Sequence, residues 1–128
     1  MVMLGVKRSD SRDSRNRFVS AILTHLPGAW IQPSKSDMVA LYRLRYRMAM
    51  EEQKYDAAMI FLNKILEEEP LDLEARLCKG EIYHRHLADY GSAVEHYNRV
   101  LKLTAGRDPD PVQSRARQSL SELMEMLS

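Results

Sequence analysis

Arg43 and Arg47 stand four residues apart. On a helix that spacing puts both guanidinium groups on one face, where they can grip a carboxylate or an acidic segment through charge-assisted hydrogen bonds. The competing arrangement pairs them with Glu74 and Glu81 or leaves them solvated. Covalent and metal chemistry have less to work with. Cys78 and His84 lie six residues apart, roughly 240° around a helix axis, while Cys78 and His86 are ~12 Å apart along it, so neither pair makes a local thiol–imidazole dyad. His84 and His86, at i and i+2, point to different faces and do not supply the i, i+4 pair with which a helix holds a metal. His25 and His96 read as a helix-end and a helix-surface histidine. Glu67, Glu68 and Glu69 are consecutive and face three directions. The chain has no phosphate-cradling glycine loop and no G-x-S-x-G elbow. The expectation is therefore a non-enzyme with no cofactor and no metal.

Composition bounds the classes. The chain has 128 residues, 45% of them hydrophobic and 29% charged, which fits one packed domain. The net charge of +1 is the sum of unlike parts, because residues 1–17 carry Lys7, Arg8, Arg12, Arg15 and Arg17 against only Asp10 and Asp13. This basic arm has no apolar periodicity and no aromatic residue to stack on bases, so solvated disorder is favoured over a nucleic-acid tether. The single cysteine makes no internal disulfide, and no run approaches the ~20 apolar residues of a transmembrane helix. A cytoplasmic location is expected.

The elements that would position these side chains are set by a repeated segment. Tyr55–Leu66 reads YDAAMIFLNKIL and Tyr90–Leu101 reads YGSAVEHYNRVL, with Tyr, Ala, Asn and Leu identical at one offset. Such self-similarity marks a repeat architecture. Around it, Phe18, Ile22 and Leu26 predict a short helix that ends at Pro27-Gly28, followed by a loop with Trp30 that folds back over a helix. Ser34 with Asp37 is a capping-box candidate, and Ser36 a second cap, for a helix over 37–52 with Leu41, Leu44 and Met48 on one stripe and Tyr42 and Ala49 on the next. Met48, Met50 and Met59 read as core filling more than as an adaptable groove. Asp72 is a natural N-cap for the next helix, and Gly80 inside that helix marks a place where another helix comes too close for a side chain. Gly106 and Asp108-Pro109 end the second copy, after which Asp110, Pro111 and Gln113 provide an N-cap, a first-turn proline and a capping-box partner. The divisions are 1–17, 18–36, 37–70, 71–105 and 106–128.

These residues resemble the tetratricopeptide repeat, a helical hairpin of about 34 residues. The resemblance covers residues 38–104. The family's first-helix pattern falls on Arg76, Lys79, Gly80 and Tyr83, and its second-helix pattern on Ala93 and Tyr97; in the earlier unit the positions are Tyr42, Arg45, Tyr46 and Ala49, then Ala58, Leu62 and Pro70. Tyr46, where a small residue is usual, departs from the pattern and predicts a more open first hairpin. One extra residue near His86–Asp89 is placed in the turn of the second hairpin. The resemblance implies an all-α solenoid of two repeats with a C-terminal capping helix, acting as a protein-interaction module (adaptor, assembly factor or chaperone). It implies a groove lined by Arg43, Arg47, Met50, Glu74, Leu77, Glu81 and His84 that holds a protein or peptide segment. Arg47 and Cys78 replace the asparagines of the family's carboxylate clamp, so that ligand is not expected.

Two repeats are fewer than the three or so that stacking hairpins need to bury their faces. The last helix carries Val112, Ala116, Leu120, Leu123, Met124, Met126 and Leu127 over a stripe wider than one buried face requires. Either the N-terminal helix with Trp30 covers one end of the stack and this helix the other, the favoured arrangement, or Leu123, Met124, Met126 and Leu127 form a candidate homo-oligomer interface; the alternative function is a structural subunit that docks through its apolar terminal helices.

Overall fold

A computed structural model describes residues 32–128. The basic arm, the helix expected over Phe18–Leu26, His25 and Trp30 lie outside the described residues. Within them the chain forms five helices and no strand: α1 (Lys35–Glu51), α2 (Tyr55–Glu68), α3 (Leu73–Arg85), α4 (Tyr90–Leu103) and α5 (Pro111–Leu127).

Local chemistry sets the boundaries. α1 starts directly after Ser34 and contains no glycine or proline. Asp72, Asp89 and Asp110 each accept hydrogen bonds from first-turn backbone N–H groups, of Ala75, of Ser92, and of Val112 and Gln113 respectively. These carboxylates satisfy donors that have no partner within the helix and sit at the positive end of its dipole. Pro111 occupies the first turn of α5, where its missing N–H costs nothing. Gln113 does not close a capping box. Its Nε2 reaches out of the helix to the Thr104 carbonyl at 2.9 Å, because the residue is buried against the end of α4, where that carbonyl also accepts from the Arg107 N–H.

The two copies of the repeated segment become α2 and α4 with matching burial. Ala58 and Ala93, Leu62 and Tyr97, and Ile65 and Val100 are all buried, while Asn63 and Asn98 are exposed. The turns that enter these helices correspond as well. Gln53 (φ 59°) and Ala88 (φ 54°) each occupy the left-handed region one residue before the N-cap. The second turn is longer by one residue, as the pattern predicts.

Packing explains why α3 reads poorly as an amphipathic helix. Ala75 and Ile82, seven residues apart and so on one face, join Val39, Ala49, Ala58, Met59, Leu62 and Ile65 in a first core cluster. Leu77 lies about 200° around the helix from Ala75 and joins Ala93, Tyr97, Val100, Ala116 and Leu123 in a second. α3 is thus a wall shared by two cores. α1 fully buries only Val39 and Ala49, since among the described residues it has neighbours on one side alone. Tyr46 is half-buried and its phenol pairs with the Cys78 thiol on α3.

α5 lays Ala116, Ser119 and Leu123 against the second core and turns Ser114, Arg117, Gln118, Ser121 and Glu125 outward. A polar outer face is what a terminal helix of a stacked array needs. Within the described residues no helix is long and apolar enough to cross a membrane.

Candidate functional site

The residues expected to line a groove fall into three groups. Arg43 is committed to structure: its Nη2 pairs with Asp72 Oδ2 and, at 3.5 Å, with Glu69 Oε1. Asp72 uses its other oxygen to cap α3 through the Ala75 N–H at 2.9 Å. One carboxylate thereby fixes the start of α3 and ties it to α1. Arg47, one turn further along α1, is exposed and makes no ion pair or side-chain hydrogen bond among the described residues. The two arginines share a helical face by spacing but do not act as a pair.

Glu74 and Glu81 do not meet Arg43 or Arg47. Both are held by Arg115 of α5, with Nη1 at 2.6 Å from Glu74 Oε2 and Nη2 at 3.0 Å from Glu81 Oε1. Arg85 adds a second link from α3 to α5, reaching Ser119 Oγ and Glu122 Oε1, each at 3.3 Å. Arg115 was not singled out from the sequence. The i, i+7 spacing of Glu74 and Glu81 was the available signal, because it places two carboxylates one above the other with no cation nearby in sequence.

Leu77 presents nothing to a ligand. It is fully buried, since its position on α3 faces Ala93 and Tyr97. Met50 is half-buried against the first cluster. His84 is held by a hydrogen bond between its Nδ1 and the Tyr97 hydroxyl at 3.0 Å, with the rings edge to face. Burial pushes the His84 pKa down. Cys78 lies 3.8 Å from Glu74 Oε2. Burial and the neighbouring carboxylates push its thiol up, away from the thiolate that a nucleophile needs.

Leu123 is removed from the candidate interface by the same burial that removes Leu77. Met124, Met126 and Leu127 remain about half exposed on the last turn. A second exposed apolar stripe lies at the other end of the stack. Leu41, Leu44 and Met48 are 41%, 46% and 45% exposed on the outward side of α1, with Arg45 and Arg47 beside them. The sequence reading took Met48 as core filling, because methionine on a helical stripe normally faces inward; here Tyr42, Tyr46, Ala49 and Met50 hold the inward face instead. No group of three or more metal-ligating side chains occurs among the described residues.

No family model, no curated protein and no solved structure matches the chain.

Proposed function

We propose that the chain is a protein-interaction module built from tetratricopeptide-type hairpins, which binds an apolar protein or peptide segment carrying a carboxylate along the outward side of α1. The observation that carries this reading is the stripe of Leu41, Leu44 and Met48, exposed beside two arginines that have no partner among the described residues. Contiguous exposed apolar side chains rimmed by polar ones mark interaction surfaces. Arg45 and Arg47 supply the recognition of charge. The in-phase hairpins, the shared wall α3 and the polar outer face of α5 fit the repeat resemblance.

Selection of peptides from a displayed random library tests the reading. Enriched peptides should combine apolar residues with Asp or Glu, and should lose about tenfold or more in affinity to the L44E and R47E variants. They should bind S121E, altered on the polar face of α5, as they bind the parent chain. Peptides indifferent to L44E and R47E would sink the proposal. Met124, Met126 and Leu127 favour a second reading, self-association through terminal helices: a dimer in light scattering that M126E converts to a monomer would move that reading ahead.

A further inference from the structure

The side of α3 opposite Glu74 and Glu81 carries a different chemistry. Arg76 is about 200° around the helix from Glu74, and with Lys79 it forms an i, i+3 pair along the α3–α4 seam. α4 brings His96 and Arg99, again i, i+3, to the same seam. The helices run antiparallel and touch closely there: a methyl group at Gly80 would stand 3.2 Å from His96 Cβ, and the Tyr83 ring stacks at a tilt on the His96 ring with centroids 5.3 Å apart. In that register Arg76 falls beside Arg99 and Lys79 beside His96.

Every ion pair among the described residues lies elsewhere. None of these four cationic side chains has a carboxylate within ion-pair distance. Arg76 donates through Nη2 to the Pro70 carbonyl at 3.1 Å, and its Nε is buried with no acceptor. His96 is oriented for a particular use. Its Nδ1 lies 2.8 Å from the Ser92 carbonyl, so Nδ1 carries the proton and Nε2 is left to accept in the neutral ring or donate in the charged one. Burial first, and then the mutual repulsion of these cations, lowers the pKa values of Arg76, Lys79 and His96. The hydrogen bond to the Ser92 carbonyl, and then the adjacent Glu95, oppose this at His96.

Arg76 and Lys79, half-buried, and Arg99, exposed, place three positive charges here beside the half-buried His96 with no carboxylate in ion-pair distance, and an anion would relieve their repulsion and favour protonation of His96. The spread of the cluster, about one turn on each of two adjacent helices, suits one compact anion of high charge. It does not suit an extended polyanion, because the Tyr83 and His96 rings at the seam stack on each other instead of standing free for bases. We propose that Arg76, Lys79, His96 and Arg99 form a binding site for a single phosphoryl dianion, with the arginines and Lys79 supplying charge-assisted donors and protonated His96 donating through Nε2. This site is separate from the outward side of α1, and neither reading depends on the other.

The test uses the full chain at pH 7 and constant ionic strength, following backbone amides and the His96 imidazole by NMR. Inorganic phosphate is titrated in first, with chloride as control, then a phosphoserine peptide and its unphosphorylated form. Saturable phosphate shifts confined to α3 and α4 are expected. Arg99→Gln and Lys79→Gln should each weaken binding by about tenfold, the loss of one charge-assisted donor, while R117Q, on the outer face of α5, leaves it unchanged. The His96 titration midpoint should rise in the presence of phosphate. Tighter binding of the phosphopeptide than of inorganic phosphate would assign the phosphoryl group to a modified side chain, and the reverse order to a free ion. Shifts that chloride reproduces, or that survive both substitutions in variants with unchanged circular dichroism, overturn the site. So does binding that strengthens with the length of a single-stranded RNA and exceeds that of both phosphate and phosphopeptide.

Discussion

Gly80 and Tyr97 are complementary: a methyl group on Gly80 would stand 2.9 Å from Tyr97 Cε1 and 3.0 Å from Cδ1. The ring has no room to retreat, being fully buried and fixed through its hydroxyl to His84. Glycine costs a helix interior roughly 1 kcal/mol relative to alanine, whereas forcing a methyl into a packed site costs typically 1–3 kcal/mol. G80A should therefore lower stability by about 1 kcal/mol. Gly91, near the start of α4, has nothing within 4 Å of the same position, so G91A should raise stability by up to about 1 kcal/mol. Urea unfolding of both variants measures the contrast, and equal signs would contradict the packing.

The duplicated turns differ in one useful respect. Lys54 (φ −95°, ψ 77°) and Asp89 (φ −98°, ψ 81°) are N-caps with nearly the same backbone, but only Asp89 accepts a hydrogen bond through its side chain. Lys54→Asp should install the missing cap on α2. A gain of about 0.5–1 kcal/mol in thermal or chemical unfolding is expected.

Asp72 performs two jobs, and substitutions separate them. D72N keeps a capping side chain and loses the charge offered to Arg43; D72A loses both. The cap contributes about 1 kcal/mol, and a partly exposed ion pair a few tenths to 1 kcal/mol. D72A should therefore cost more than D72N. A double-mutant cycle with R43A should show positive coupling that shrinks in high salt.

Leu123 closes the second core from α5. L123A should cost about 2–4 kcal/mol, the usual range for a fully buried leucine. M126A, on the exposed last turn, should change stability by less than about 0.5 kcal/mol. Comparable losses would mean that Met126 is covered in solution, which favours the self-associating reading.

Stability should fall at both ends of the pH range. Burial lowers His84 and His96 below the ordinary histidine value of 6.5, so on acidification the unfolded chain takes up their protons before the folded chain does. Stability is then full above about pH 6.5 and declines below it. Burial pushes the Tyr97 phenol up to about 12 and raises Tyr46 as well. The unfolded chain therefore releases those protons first, and stability declines above about pH 10. Unfolding free energies from pH 5 to 11 give the profile, and H96Q should flatten its acid limb.

The sequence by itself determined the helices and their order. Apolar spacing in α2 and α4, aspartates at the starts of α3 and α5, Pro70 and Pro111, and the duplicated segment are local signals that act within a few residues. Gly80 also declared its close contact, because an interior glycine has a cost that only packing explains. What lay beyond the sequence was the choice of partners. α3 is apolar on two opposite sides, so its pattern could not say that Leu77 belongs to one core and Ile82 to another. Arg43 and Arg47 look equivalent along α1, and tertiary structure alone brings Asp72 to the first and, among the described residues, no ion-pair partner to the second. Leu41, Leu44 and Met48 have the same spacing as a core stripe, and the aromatic face beside them won the interior. Periodicity places a side chain on a face of its own helix; which neighbour meets that face is decided by the packing of the whole chain.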